Sequence, residues 1–168
     1  ESRDYLFVAG LKQKNDAEAA LRQINADLAA QGMGLQALVS DLGGEFDNAA
    51  MQQFATEQGI AHEFRAPEDH VQRAERANRH IYESVRPMLQ EANAPDSLWL
   101  DAGLCMANAS NARADDKYNV SPHVALFQSN PDMTTIMPFY SWVSVWDGTR
   151  ARNRFAPRGT LARYVSAA

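Results

Sequence analysis

At 168 residues, 45% apolar and 22% charged, the chain has the size and make-up of one globular domain with its own core. No apolar run approaches the ~18 residues a membrane helix needs, and a single cysteine, Cys105, excludes an internal disulfide. The net charge of −5 opposes a dedicated nucleic-acid binder.

The charge is unevenly spread. Residues 1–64 hold four basic and ten acidic groups, a net of −6, whereas residues 101–168 hold seven basic and five acidic groups, a net of +2. Arg150, Arg152, Arg154, Arg158 and Arg163 all fall in that last stretch. Such an end can meet a phosphate backbone, although a basic patch is common on any protein of this size. The N-terminus, Glu1-Ser2-Arg3-Asp4, lacks the basic and apolar regions of a signal peptide. A reducing, intracellular setting is therefore expected.

In chain order, Tyr5–Leu11 is rich in β-formers and reads as a strand. Asn15 or Asp16 should cap a helix through Ala30, with Ala19, Ala20, Ile24 and Leu28 inward and Gly32 and Gly34 ending it. Leu35–Val39 reads as a buried strand that delivers Asp41 into the Gly43-Gly44 turn. Asp47 or Asn48 should open a helix to Gln58, closed by Gly59, and Ile60–Phe64 reads as a third strand.

Beyond a polar loop at Pro67–His70, a long helix is expected from Val71 to Ala92, kinked at Pro87. Its inward stripe would be Val71, Ala74, Asn78, Ile81, Val85 and Met88. Asp96 or Ser97 should cap a helix over Leu98–Asn111, and Ser121-Pro122 should open a short one to about Phe127. Tyr140–Trp146 and Leu161–Val165 read as strands around an arginine-rich connection. Trp99, Trp142 and Trp146 lie in apolar patterns and read as core. The element order implies an α/β domain with a central sheet, and a sheet that opens so near the chain start is expected to lack its first strand.

Two stretches carry the chemistry. Ser40-Asp41-Leu42-Gly43-Gly44-Glu45-Phe46 places a carboxylate at a strand end before a glycine turn. Ala74-Glu75-Arg76-Ala77-Asn78-Arg79 places another early in a basic helix, with thirty-three residues between Asp41 and Glu75. A strand-end acid and a helix acid brought together can hold Mg²⁺ (or Mn²⁺) against a phosphodiester. Each also has a plainer reading: Asp41 as a turn former, Glu75 as the i,i+4 partner of Arg79. Arg73, Arg76, Arg79 and Arg86 can track phosphates or pair with Glu75 and Glu83. His62, His70, His80 and His123 show no ligand spacing with Cys105, so zinc is unsupported.

Together these motifs resemble the integrase core of copia-type LTR retrotransposons. The resemblance extends to Gly59-Ile60 with His62, Met88-Leu89 with Glu91-Ala92, Pro95, Trp99, Ser121-Pro122, Asn130-Pro131-Asp132, Arg158-Gly159 and Tyr164-Val165. Ser2-Arg3 before an apolar stretch fits as well.

It implies a ribonuclease-H-like mixed sheet flanked by helices, with residues 1–125 the catalytic core and 126–168 a basic extension. It also implies a nuclear, divalent-metal-dependent polynucleotidyl transferase acting on DNA, capable of homo-oligomerisation and using no small-molecule cofactor. Asp41 and Glu75 match the second and third metal-binding acids. Arg73, Arg76, Arg79, Arg150, Arg152 and Arg154 would contact DNA, and His62 would be a structural or site-edge residue rather than a catalyst.

The departures are specific. The first acid would lie two positions ahead of the residue matching Glu1, and Leu42 stands where Asn usually follows the second acid. The loop Pro67–Arg73 lacks the usual Gln-Asn-Gly and is two residues short, and the core is expected to stand without a preceding His/Cys zinc module. The expectation is a truncated or decayed core, catalytically silent as it stands. The alternatives are a non-catalytic DNA- or protein-binding domain of retrotransposon origin, or an unselected remnant.

Overall fold

The computed structural model describes residues 4–65, 72–114, 119–146 and 159–165. The chain divides into two compact units, one spanning Phe7–His80 and one spanning Ile81–Ala168 together with Glu1–Leu6.

In the first unit a 3₁₀ turn at Lys14–Asp16 leads into α1 (Ala17–Ala30), followed by β1 (Ala37–Ser40), α2 (Ala49–Gln58), β2 (Ala61–Phe64) and the start of α3 (Gln72–Glu91). β1 and β2 pair in parallel, Ala37 opposite Ala61 through Ser40 opposite Phe64. A parallel pair needs a crossover, and α2 supplies it. Asn48 caps α2 by accepting the Met51 amide at 2.9 Å. Gly59 ends it at φ +66°, with Ile60 N–H returning to the Ala55 carbonyl and Gly59 N–H to that of Thr56, the paired bonds that a left-handed terminal residue permits. Met51 and Phe54 are fully enclosed and pack with Ala17, Ala55 and Ile60, flanked by Leu21, Leu35, Leu38 and Phe46.

The second unit holds the rest of α3, a 3₁₀ turn at Asp96–Leu98, α4 (Trp99–Ala112), α5 (Pro122–Phe127), a 3₁₀ turn at Met133–Thr135, β3 (Trp142–Trp146) and β4 (Gly159–Arg163). Val85, Leu89 and Ala102 form its core with Ile81, Ala94, Leu98 and Phe139. Ser121 caps α5 through the Val124 amide. β3 and β4 pair antiparallel, Trp142 opposite Arg163 and Trp146 opposite Gly159.

The architecture is mixed α/β, with its described strands in two separate two-stranded sheets rather than one central sheet. Several expectations need correction. Tyr5–Leu11 is not a strand; the Leu6 backbone is bonded by the Asn111 side chain instead. β1 is not enclosed on both faces, since Val39 is exposed while Ser40 is buried. The α3 stripe begins only at Ile81, with Ala74 and Asn78 exposed. The segment Arg73–His80 offers no large apolar side chain to bury.

Neither Asp96 nor Ser97 caps α4, because both already belong to the 3₁₀ turn that feeds it. The three tryptophans are not core: Trp99, Trp142 and Trp146 are 52%, 63% and 66% exposed. Two lie on a two-stranded ribbon, which has too little backing to bury both faces. The expected loop at Pro67–His70 and the helix start at Val71 lie outside the described residues.

Candidate functional site

β1 ends at Ser40, and the next residue, Asp41, stands exposed at the carboxyl end of the strand. Its carboxylate accepts the Gly43 amide at 3.1 Å. That bond folds the chain into a turn in the way a short acidic side chain favours. The turn continues with Phe46 and Asp47 amides returning to the Gly43 carbonyl.

Gly43 leaves room here for two side chains. A Cβ on it would stand 2.9 Å from Asp41 Oδ1 and 2.9 Å from Glu45 Oε2. Two carboxylates therefore face the same small space above Gly43. Gly44 has nothing within 4 Å of such an atom. Glu45 is half-buried, and Lys14 Nζ lies 3.9 Å from its Oε2. Glu45 thus brings a second carboxylate beside Asp41. Sequence reading placed it only among the motif residues; the four-residue spacing around two glycines was the available signal.

Behind the turn, Ser40 is buried and its hydroxyl lies 3.0 Å from His62 Nε2 on β2. This pairing was not legible from the sequence, because it depends on the register between β1 and β2.

Glu75 lies in the first turn of α3 within the same unit as Asp41, and it is exposed. A carboxylate there also suits the positive end of the helix dipole. Arg73, Arg76 and Arg79 are exposed along the same turns. Arg150, Arg152 and Arg154 lie outside the described residues. Among the described residues, no group of three or more His, Cys, Asp or Glu side chains is placed to hold a metal ion. The hard oxygen donors of Asp41 and its neighbours suit a Mg²⁺ ion that keeps most of its waters. They do not make up the three-acid set of a two-ion clamp.

No protein-family profile matches the chain. It is 36% identical over 100 residues, 58% of its length, to the retrovirus-related Pol polyprotein from transposon TNT 1-94 of Nicotiana tabacum. The chain resembles copia-type retrotransposon Pol sequence. It spans 8% of that polyprotein's length.

Among solved structures, it is similar to a chain of the simian T-cell lymphotropic virus intasome in complex with PP2A regulatory subunit B56 gamma. The TM-score is 0.56, with 16% identity over 95% of this chain and 57% of the viral one. At that identity the likeness is one of fold. No helix among the described residues is long and apolar enough to cross a membrane.

Proposed function

We propose that the chain is an integrase-like core of copia-type retrotransposon origin. By descent it is a divalent-metal-dependent polynucleotidyl transfer domain, with β1 and β2 part of a ribonuclease-H-like sheet. The observation that carries this reading is the 36% identity to a transposon Pol polyprotein, in a chain whose mixed α/β fold is similar to that of an intasome chain.

Asp41 and Glu75 are the proposed metal-binding carboxylates, and Arg73, Arg76, Arg79, Arg150, Arg152 and Arg154 the proposed DNA contacts. A bound Mg²⁺ or Mn²⁺ would neutralise charge at a phosphodiester. This chain's own part is to present Asp41 from the turn above Gly43 and to set arginines on the exposed turns of α3. Residues 1–125 form the proposed core and 126–168 the proposed extension, in a nuclear protein that self-associates on DNA.

With two of three acids assigned, the chain alone is expected to be silent. Purified protein should show no Mg²⁺- or Mn²⁺-dependent nicking or strand transfer on DNA carrying element ends. Robust activity that disappears in Asp41→Asn would overturn the silence and leave an active integrase. Mn²⁺ binding indifferent to both Asp41→Asn and Glu75→Gln would sink the assignment of the carboxylates.

A second reading, a non-catalytic DNA-binding domain, is favoured by the β3–β4 ribbon. Trp142, Trp146, Leu161 and Arg163 share one of its faces and are exposed, and aromatic rings beside a guanidinium suit base stacking. Fluorescence titration with single-stranded DNA at low ionic strength tests it. Affinity that falls with salt and is lost in Trp142→Ala supports this reading, and no binding at low salt removes it.

A further inference from the structure

Ser40, the last residue of β1, is only 5% exposed. Its hydroxyl donates to the Asp41 carbonyl at 3.1 Å and also lies 3.0 Å from His62 Nε2. A serine hydroxyl has one proton to give. With that proton on the Asp41 carbonyl, the serine oxygen is the acceptor toward His62, and His62 Nε2 carries the hydrogen.

The other ring nitrogen agrees. His62 Nδ1 is buried and has no hydrogen-bond partner among the described residues. As a lone pair it is a tolerable orphan; as an N–H it would be a buried donor with nowhere to point. The hydrogen-bond pattern therefore assigns the proton to Nε2.

The ring itself is well held. His62 sits opposite Leu38, two residues before Ser40 and hence on the same sheet face. The Phe64 ring lies 4.2 Å away, centroid to centroid.

We infer that His62 is a positioning residue for Asp41. It orients the Ser40 hydroxyl, and that hydroxyl fixes the peptide on which β1 hands over to the turn above Gly43. From the far side the turn is held by the exposed bond from Gly43 N–H to Asp41 Oδ1. Without the His62 donor the hydroxyl is free to rotate, and the Asp41 peptide loses its buried anchor. A metal-binding carboxylate tolerates only about 0.5 Å of such drift. The inference rests on the proposed role of Asp41 and adds the residue that aims it.

Three variants of the full chain separate the contributions. His62→Phe keeps a ring against Phe64 and removes the donor, Ser40→Ala removes the relay, and His62→Gln restores an N–H donor. Amide hydrogen exchange at Gly43 should quicken about tenfold in the first two, the loss of one hydrogen bond, and return toward wild type in His62→Gln. Phe54 and Ala55 amides in α2 should keep their protection, which shows that the unit stays folded. Mn²⁺ affinity, read from the electron paramagnetic resonance of the free ion, should fall in parallel.

Unchanged Gly43 exchange in both His62→Phe and Ser40→Ala would overturn the inference. So would equal acceleration of every amide. A long-range ¹H–¹⁵N spectrum of the wild-type chain that places the His62 proton on Nδ1 would overturn it without any variant. If Asp41→Asn leaves Mn²⁺ binding intact, the assignment of Asp41 as a metal-binding carboxylate fails by itself, and exchange at Gly43 still decides the role of His62.

Discussion

Asn111, buried in α4, holds both backbone groups of Leu6: its carboxamide oxygen accepts the Leu6 N–H at 2.8 Å and its nitrogen donates to the Leu6 carbonyl at 2.9 Å. One side chain thus makes the pair of bonds that a facing residue makes in an antiparallel ladder. Next to it, the Tyr5 ring meets Phe127 of α5 edge-on at 5.4 Å. Asn111→Ala leaves two half-buried backbone groups without their partner and should destabilise the fold by about 2 kcal/mol. Asn111→Asp keeps the acceptor and turns a second acceptor toward the Leu6 carbonyl, so it should cost at least as much. Urea denaturation of the three proteins measures both. A loss below about 0.5 kcal/mol in Asn111→Ala would mean that water replaces the clamp.

The two glycines of the turn should behave differently. In Gly43→Ala the new methyl meets the ends of two flexible side chains, Asp41 and Glu45, and not backbone. The carboxylates can swing aside, so the fold should survive with a change within about 1 kcal/mol. The space the two carboxylates shared is then occupied, and Mn²⁺ affinity should drop. Gly44→Ala meets nothing within 4 Å, and should leave both stability and ion affinity as they are. Equal ion affinity in the two variants would show that the space above Gly43 is not used.

Much of the fold is local in origin and was legible for that reason. Asn48, Gly59 and Ser121 end or begin helices through bonds to residues within five positions, which sequence spacing encodes. Asp41 and Glu75 were found through motifs, and the structure places them at a strand end and in a helix's first turn as those motifs anticipate. What escaped depends on distant partners. Tyr5–Leu11 has the composition of a strand, but strand geometry needs a neighbouring strand, and Leu6 is met by Asn111, 105 positions away. Apolar composition suggested burial for Trp142 and Trp146, but burial needs a layer to pack against. The Ser40–His62 bond required the β1–β2 register, which no local pattern supplies.

Arg163 and Trp142 face one another across β3 and β4, and the guanidinium carbon lies 3.8 Å from the ring centroid. The same guanidinium is 4.8 Å from the Tyr140 ring centroid and donates to the Tyr140 carbonyl at 2.8 Å. Tyr140 itself adopts a left-handed backbone conformation at φ +58°, so this hydrogen bond steadies a strained corner. Arg163→Ala should cost about 1 kcal/mol through the lost ring contact and hydrogen bond together. It should also shift Trp142 emission to the red. Arg163→Lys keeps the charge but not the planar stack, and should fall between the two. Thermal unfolding followed by tryptophan emission reads both effects. Emission unchanged in Arg163→Ala would show that the stack does not persist in solution.

Alkaline pH should act on the fold through Tyr5. Burial pushes its phenol above the ordinary tyrosine range, with a smaller opposing pull from the Asn111 side chain. A raised pKa in the folded chain means that the neutral phenol is the form the fold accommodates. Its contribution is fully present below the unfolded value of about 10 and is lost as pH rises through the folded value. Tyr5→Phe keeps the ring against Phe127 and removes the titrating proton. The two proteins differ in that phenol alone, so the difference between them isolates Tyr5. Urea denaturation at about pH 8 and again near pH 11 should show the wild-type chain losing more stability than Tyr5→Phe over that interval. Parallel losses in the two proteins would mean that the phenol is solvated in the folded state.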